Sequence, residues 1–135
     1  MNGSYLARWA PVMLSVLRIL AGLLFLEHGS QKLLMFPPGD HAGAEFMTMV
    51  WWSGAIELVT GALLAAGLLT RLAAFFAAGE MAVAYWMVHA PQNFFPVNNM
   101  GDGAILYCFI FLYILFAGPG PWSLDALFRR GTPRP

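Results

Sequence analysis

The sequence predicts an all-α integral membrane protein: four transmembrane helices in an antiparallel bundle, then a short C-terminal surface helix. Three observations carry this expectation. Apolar residues make up 59% of the 135 and charged residues only 10%, against about 25% charged in a soluble domain; too little charge remains to cover a water-facing surface. Four apolar stretches approach the roughly 20 helical residues that a bilayer core requires. Open strands would leave backbone groups unsatisfied in lipid, and four spans are too few for a barrel. At this length the whole chain, 1–135, is read as one domain.

The spans are expected at about 12–35, 51–69, 72–90 and 101–117. Phe36-Pro37-Pro38-Gly39-Asp40 stops the first, because proline lacks the backbone donor and clashes with the preceding turn. Leu69-Thr70-Arg71 is a very short turn, so the second and third spans form an antiparallel hairpin. Pro91 and Pro96 bracket the third loop, and Gly118-Pro119-Gly120-Pro121 ends the fourth span, which is short unless it extends back through Met100. Beyond it, Ser123 is a helix N-cap candidate with Asp125 in the first turn. Leu124, Leu127 and Phe128 could then lie on the membrane, with Arg129 and Arg130 facing an anionic leaflet.

Basic residues set the orientation. Arg8, Arg71, Arg129, Arg130 and Arg134 fall on one side, and loops 36–50 and 91–102 contain no Lys or Arg. Both termini are therefore expected in the cytoplasm and the two longer loops outside. Trp51, Trp52, Trp86 and Trp122 sit near the expected interfaces. A removable leader is not expected, although Arg8 precedes an apolar run and Ala42-Gly43-Ala44 follows it: the run from Met13 to Met35 is too long. Zero net charge gives no basic field for nucleic acid. The single Cys108 excludes an intrachain disulfide, a CxxC pair and a cysteine-rich metal site. It reads as an apolar filler, and the eight methionines as packing.

Ionisable residues inside spans cost about 2.5–3.5 kcal/mol each to insert and are functional candidates by default. Arg18, Glu27, His28, Lys32, Glu57, Glu80 and His89 qualify, with Asn99 and Asp102 at the outer rim. Arg18, Gly22, Phe25, Gly29 and Lys32 follow helical spacing along one stripe, with His28 beside it and Glu27 facing elsewhere. Gly54, Glu57 and Gly61 share a face, as do Ala73, Ala77, Glu80 and Ala84. Small residues beside a carboxylate turn that carboxylate toward a neighbouring helix. A polar cavity open to the outer side is expected from this distribution. Each candidate also has a plainer reading: Arg18 snorkelling or pairing within the bundle, Glu57 paired with Lys32 for packing. His28 and His89 lack close ligand spacing, so no metal or haem is expected.

The stretch Arg18-Ile19-Leu20-Ala21-Gly22 through Glu27-His28-Gly29-Ser30-Gln31-Lys32 resembles the opening segment of the DoxX family. Glu57-Leu58-Val59-Thr60-Gly61 and Gly67-Leu68-Leu69-Thr70-Arg71 resemble its middle hairpin. Gly79-Glu80-Met81-Ala82-Val83-Ala84-Tyr85 and Phe94-Phe95-Pro96 resemble its third span and loop, and Gly118-Pro119-Gly120-Pro121-Trp122-Ser123-Leu124-Asp125 its terminal signature. The resemblance covers roughly residues 12–128. One departure is the outer loop, often Asn-Gly-Gly-Glu in the family and Asn99-Met100-Gly101-Asp102 here, with a shorter acid on a less flexible loop. The resemblance implies a four-helix bundle in the bacterial inner membrane. It also implies a redox association, since relatives include the membrane subunit of a thiosulfate:quinone oxidoreductase and some members associate with thiol-stress proteins; it does not establish an activity.

The reading that follows is a quinone-interacting, redox-associated membrane protein within a complex, either a homo-oligomer or one with another protein. Glu57, Lys32, Glu80, His28, Arg18, Asn99 and Asp102 are its candidates for ligand binding or proton relay. Two other classes stay open: a scaffold or assembly factor whose buried charges fix packing, and a transporter of a small solute or protons.

Overall fold

The computed structural model describes residues 3–130, and the described residues are helical, without strands. Arg134, counted above among the basic residues of the tail, lies outside them, as does the side chain of Arg130. A short α1, Gly3–Ala7, leads into α2, Ala10–Leu34. Pro11 sits in the first turn of α2, where a missing N–H costs nothing. At the other end Met35 turns left-handed and its N–H closes on the Ser30 carbonyl. The next helix, α3, Met49–Ala66, is capped by Thr48, whose hydroxyl accepts from the Trp51 N–H at 3.3 Å. It ends at Gly67, whose φ of +70° suits glycine. After a turn of three residues α4, Thr70–Ala84, runs back antiparallel and widens into a π-helical turn at Tyr85–His89. A small α5, Pro96–Asn99, precedes α6, Asp102–Ala117, and α7, Leu124–Arg130, closes the described chain.

The boundaries differ from the sequence reading in instructive ways. The third span is regular only to Ala84, and its last turn is π rather than α. The fourth does not reach back through Met100. That residue is left-handed, with φ +60°, and Pro96–Asn99 forms a separate turn before it. Sixteen residues remain in α6, about 24 Å of helix against a hydrocarbon core of about 30 Å. Three helices, Ala10–Leu34, Met49–Ala66 and Thr70–His89, are thus long and apolar enough to cross a membrane, with one shorter apolar helix beside them.

Glycine seams bring α2 and α3 together. A Cβ on Gly22 would lie 2.6 Å from the Ala65 nitrogen, and one on Gly61 would lie 2.5 Å from the Leu26 nitrogen. One on Gly29 would collide with the Leu58 nitrogen, and one on Gly54 would meet the Lys32 Cβ at 2.9 Å. The seven-residue spacing within each pair keeps all four glycines on the facing stripes. On the other side Ala73, Ala74, Ala77 and Ala78 bury the inner face of α4, which packs chiefly on α6. Phe25 fills the centre, 4.8 Å from the Phe111 ring and 5.7 Å from Tyr107. The outer surface carries Leu20, Leu23, Leu24, Phe75, Phe76, Leu106, Phe109 and Phe116, all exposed. Such an apolar belt suits lipid and would be an aggregation liability in water. The molecule is a helical membrane bundle.

Candidate functional site

The α2–α3 seam delivers Lys32 against α3. Gly54 gives the lysine stem room, and Glu57 follows one turn further along the same face. The Lys32 ammonium lies 2.8 Å from both Glu57 carboxylate oxygens. Oε1 takes the hydrogen bond; Oε2 is as close but lacks hydrogen-bonding geometry. The Glu57 side chain is 3% exposed and that of Lys32 18%, so the pair is reachable only from the lysine side.

A third helix joins through a serine. Lys32 also donates to the Ser53 hydroxyl at 2.9 Å, and that hydroxyl donates to Glu80 Oε1 at 2.7 Å. The result is one chain, Glu57–Lys32–Ser53–Glu80, across α2, α3 and α4. It ends at Glu80 Oε2, which is buried without a hydrogen-bond partner among the described residues. A lysine has three donors and a serine can accept while donating, so one Lys32 N–H is left for a further acceptor. Two acids, a cation and a hydroxyl in sequence can hold a polar head group or pass a proton.

Sequence reasoning missed Ser53. Its signal was available: Ser53 precedes Glu57 by four residues and so shares its face. At this level Lys32 bridges Glu57 and Ser53 directly.

The other candidates divide between this site and elsewhere. His28 lies one turn before Lys32 on α2, exposed, with its ring edge-on to Tyr107 at 6.3 Å between centroids. It borders the chain, within electrostatic reach of Lys32 and Glu80. Glu27 is exposed, as its position off the stripe predicts. Asn99 is 1% exposed but organises its own loop: its amide donates to the Asn93 carbonyl at 2.9 Å, and its side-chain oxygen accepts from the Gly101 N–H at 2.8 Å. Its backbone carbonyl lies 2.9 Å from His89 Nδ1, so His89 is tied to this loop. Asp102 is exposed in the first turn of α6, where its charge complements the helix dipole.

Arg18 is fully buried and lies fourteen residues from Lys32 on the same helix, about 21 Å away. It cannot act directly on the chain. Its guanidinium donates to the Leu64 carbonyl at 3.2 Å and to the Trp122 carbonyl, tying the end of α3 to the segment before α7. Ser15 accepts from the Trp122 N–H at 3.1 Å. Asp125 completes this clamp by accepting from the Leu69 and Thr70 N–H groups, both at 2.9 Å. Burial pushes the Asp125 carboxyl up, but these backbone hydrogen bonds outweigh it and hold the group below its ordinary value. Ser123 caps α7 by accepting from the Ala126 N–H at 3.1 Å. The Gly-Pro-Gly-Pro-Trp-Ser-Leu-Asp segment is therefore a strap across the end of the bundle.

The DoxX family profile matches residues 13–90, which include all four members of the polar chain. An uncharacterized protein of Haemophilus influenzae is 41% identical over 91% of this chain and 96% of its own length. An uncharacterized membrane protein of Mycobacterium tuberculosis is 32% identical over 90% of this chain and 85% of its own. No solved structure matches.

Proposed function

The chain belongs to the DoxX family, and from that premise we propose that it is a quinone-interacting, redox-associated subunit of a complex in the bacterial inner membrane. The observation that carries the reading is the polar chain Glu57–Lys32–Ser53–Glu80, set among apolar helices and ending at a buried Glu80 oxygen without a hydrogen-bond partner. A quinone is apolar in its tail and needs donors at its carbonyl oxygens; the third N–H of Lys32 offers one. Reducing it to the quinol takes two electrons and two protons. The protons would reach the head group through Glu80, Ser53 and Lys32, with His28 at the margin. The electrons must come from a partner, since one cysteine cannot cycle as a dithiol.

Three variants test this. Lys32→Met and Glu57→Gln should each lower the quinone recovered per protein, while the exposed Glu27→Gln should leave it unchanged. Absence of quinone from the wild type, or content unaffected by all three, would sink the proposal. The ion pair itself favours a second reading, a scaffold in which Lys32 and Glu57 only fix packing. Loss of thermal stability with no bound quinone supports that one.

In this reading the Arg8, Arg71 and Arg129 end faces the cytoplasm. Cysteines introduced at Ala44 and Gln92, in a Cys108→Ser background, should react with an impermeant reagent in intact cells, and one at Thr132 should not. The opposite labelling pattern reverses the orientation.

A further inference from the structure

The long helices of the bundle are not joined alike. The α2–α3 seam is closed backbone to backbone: a Cβ on Gly29 would come within 2.3 Å of the Leu58 nitrogen, and one on Gly61 within 2.9 Å of the Gly22 oxygen. Alanines close the inner face of α4, which packs chiefly on α6. Between α2 and α6 the helices touch sparsely, and aromatic rings span the gap. Phe25 and Phe111 meet at 4.8 Å between centroids, Phe25 and Tyr107 at 5.7 Å, and His28 and Tyr107, edge-on, at 6.3 Å. Backbones in contact part only if whole helices shift, whereas a ring moves aside by changing rotamer. The α2–α6 seam is therefore the one that opens most readily.

This seam faces lipid. His28 stands four residues after Leu24, on the same exposed face of α2. It lies six residues before the end of α2 at Leu34, about 9 Å inside. Tyr107, half-buried, lies five residues after the start of α6 at Asp102, about 8 Å inside. Deeper along the seam Phe25 and Phe111 are fully buried and seal it. An imidazole on a lipid-facing surface is costly and marks a functional position. Behind the two outer rings runs the polar chain: His28 is within electrostatic reach of Lys32 and Glu80, and Tyr107 of Glu57.

We infer that the α2–α6 seam is a lateral entrance, through which a bilayer-dissolved ligand reaches Lys32 when the Tyr107 ring swings away from His28. The inference rests on the reading of the polar chain as a quinone site and adds the route: the ligand comes from the membrane and not from the outer loops. The imidazole and the phenol at the threshold can each donate to a carbonyl oxygen, so they receive the head group before Lys32 does.

Carbodiimide labelling in liposomes tests the route without depending on quinone. A buried carboxyl gives its proton to one carbodiimide nitrogen and its oxygen to the central carbon, and the adduct keeps every atom of both. In mildly acidic buffer, lipid-soluble dicyclohexylcarbodiimide should label Glu80 or Glu57, and a water-soluble carbodiimide should not; exposed Glu27 is the internal reference. Tyr107→Ala should label about two- to tenfold faster, the range that its ring contacts are worth. In a Cys108→Ser background, His28→Cys and Tyr107→Cys should be bridged by a short bis-methanethiosulfonate. Labelling of the buried acids should then nearly cease, and it should return when dithiothreitol cleaves the bridge. Failure of the two cysteines to bridge, labelling that ignores the bridge, or faster labelling by the water-soluble reagent would overturn the entrance. Decylubiquinone separates this outcome from the quinone reading. If the bridge stops labelling but decylubiquinone neither binds nor slows it, the quinone reading fails and the entrance stands. If decylubiquinone binds and exchanges equally with the bridge in place, the entrance fails and the quinone reading stands.

Discussion

The two ends of the bundle each hold a cation out of water, and they hold it differently. Arg18 is bound by backbone carbonyls, those of Leu64 and Trp122. Lys32 is bound by side chains, those of Glu57 and Ser53. Backbone carbonyls have fixed positions and never exchange protons, so the Arg18 end is a fastening. Carboxylates and hydroxyls can rotate and exchange protons, so the Lys32 end is where chemistry is possible. Burial points the same way: Arg18 is sealed at 0% exposure, whereas the Lys32 side chain keeps 18%. An ionisable residue in a membrane helix is thus not by itself a functional site; its partners decide.

The largest expected effect is at the fastening. Arg18→Met removes two charge-assisted hydrogen bonds to carbonyls, worth about 1.5–3 kcal/mol each, and it frees the strap. Thermal unfolding should show a loss of about 3–6 kcal/mol, with proteolysis beginning after Pro121. No second substitution should restore it, because the acceptors are backbone. A variant as stable as the wild type would break the comparison at its root.

Next comes the Lys32 end. Lys32→Met leaves a buried carboxylate unpaired and should cost about 3 kcal/mol. Here rescue is possible: the double variant Lys32→Met/Glu57→Gln should recover most of the loss, since removing both charges removes the mismatch. A double variant less stable than either single would show that the pair stabilises beyond its own compensation. Exposed Glu27→Gln, the control, should change stability by no more than about 0.5 kcal/mol.

Of the three fastenings, the smallest effect belongs to Asp125. Its hydrogen bonds to the start of α4 resemble an N-cap and are worth about 1 kcal/mol, so Asp125→Ala should lower stability by about that much. The carboxyl is held below its ordinary value, so its contribution is present above the unfolded-state value of about 3.9. It disappears as the pH falls through the lower folded-state value. The stability gap between wild type and Asp125→Asn should therefore be constant near neutrality and shrink below about pH 4. A gap that persists at pH 2 would mean that Asp125 acts through shape and not charge.

Much of the candidate site could be read from helical spacing alone. Gly22 and Gly29 on α2 and Gly54 and Gly61 on α3 recur at positions that return to one face, so the seam and the Lys32–Glu57 meeting follow from periodicity and the need to compensate charge in lipid. Glu27, off that stripe, is exposed for the same reason. Ser53 was overlooked because a serine in an apolar helix satisfies itself on the preceding turn as readily as it bridges two helices. Asn99 could not be placed from its rim position, because a buried loop asparagine serves its own turn, here at Asn93 and Gly101.

The sequence by itself determined that the chain lives in a bilayer, that proline and glycine segments interrupt its helices, and which faces turn inward. Each of these follows from composition, proline and glycine chemistry, or the 3.6-residue repeat, all of them local. Tertiary structure alone decided which polar groups meet beyond the Lys32–Glu57 pair. It placed Arg18 under the strap, 104 residues away along the chain at Trp122, and it put Glu80 within reach of Lys32 only through Ser53. It also shortened the fourth apolar helix at Met100. Such meetings depend on the rotation and depth of each helix against its neighbours, which packing sets and helical periodicity does not encode.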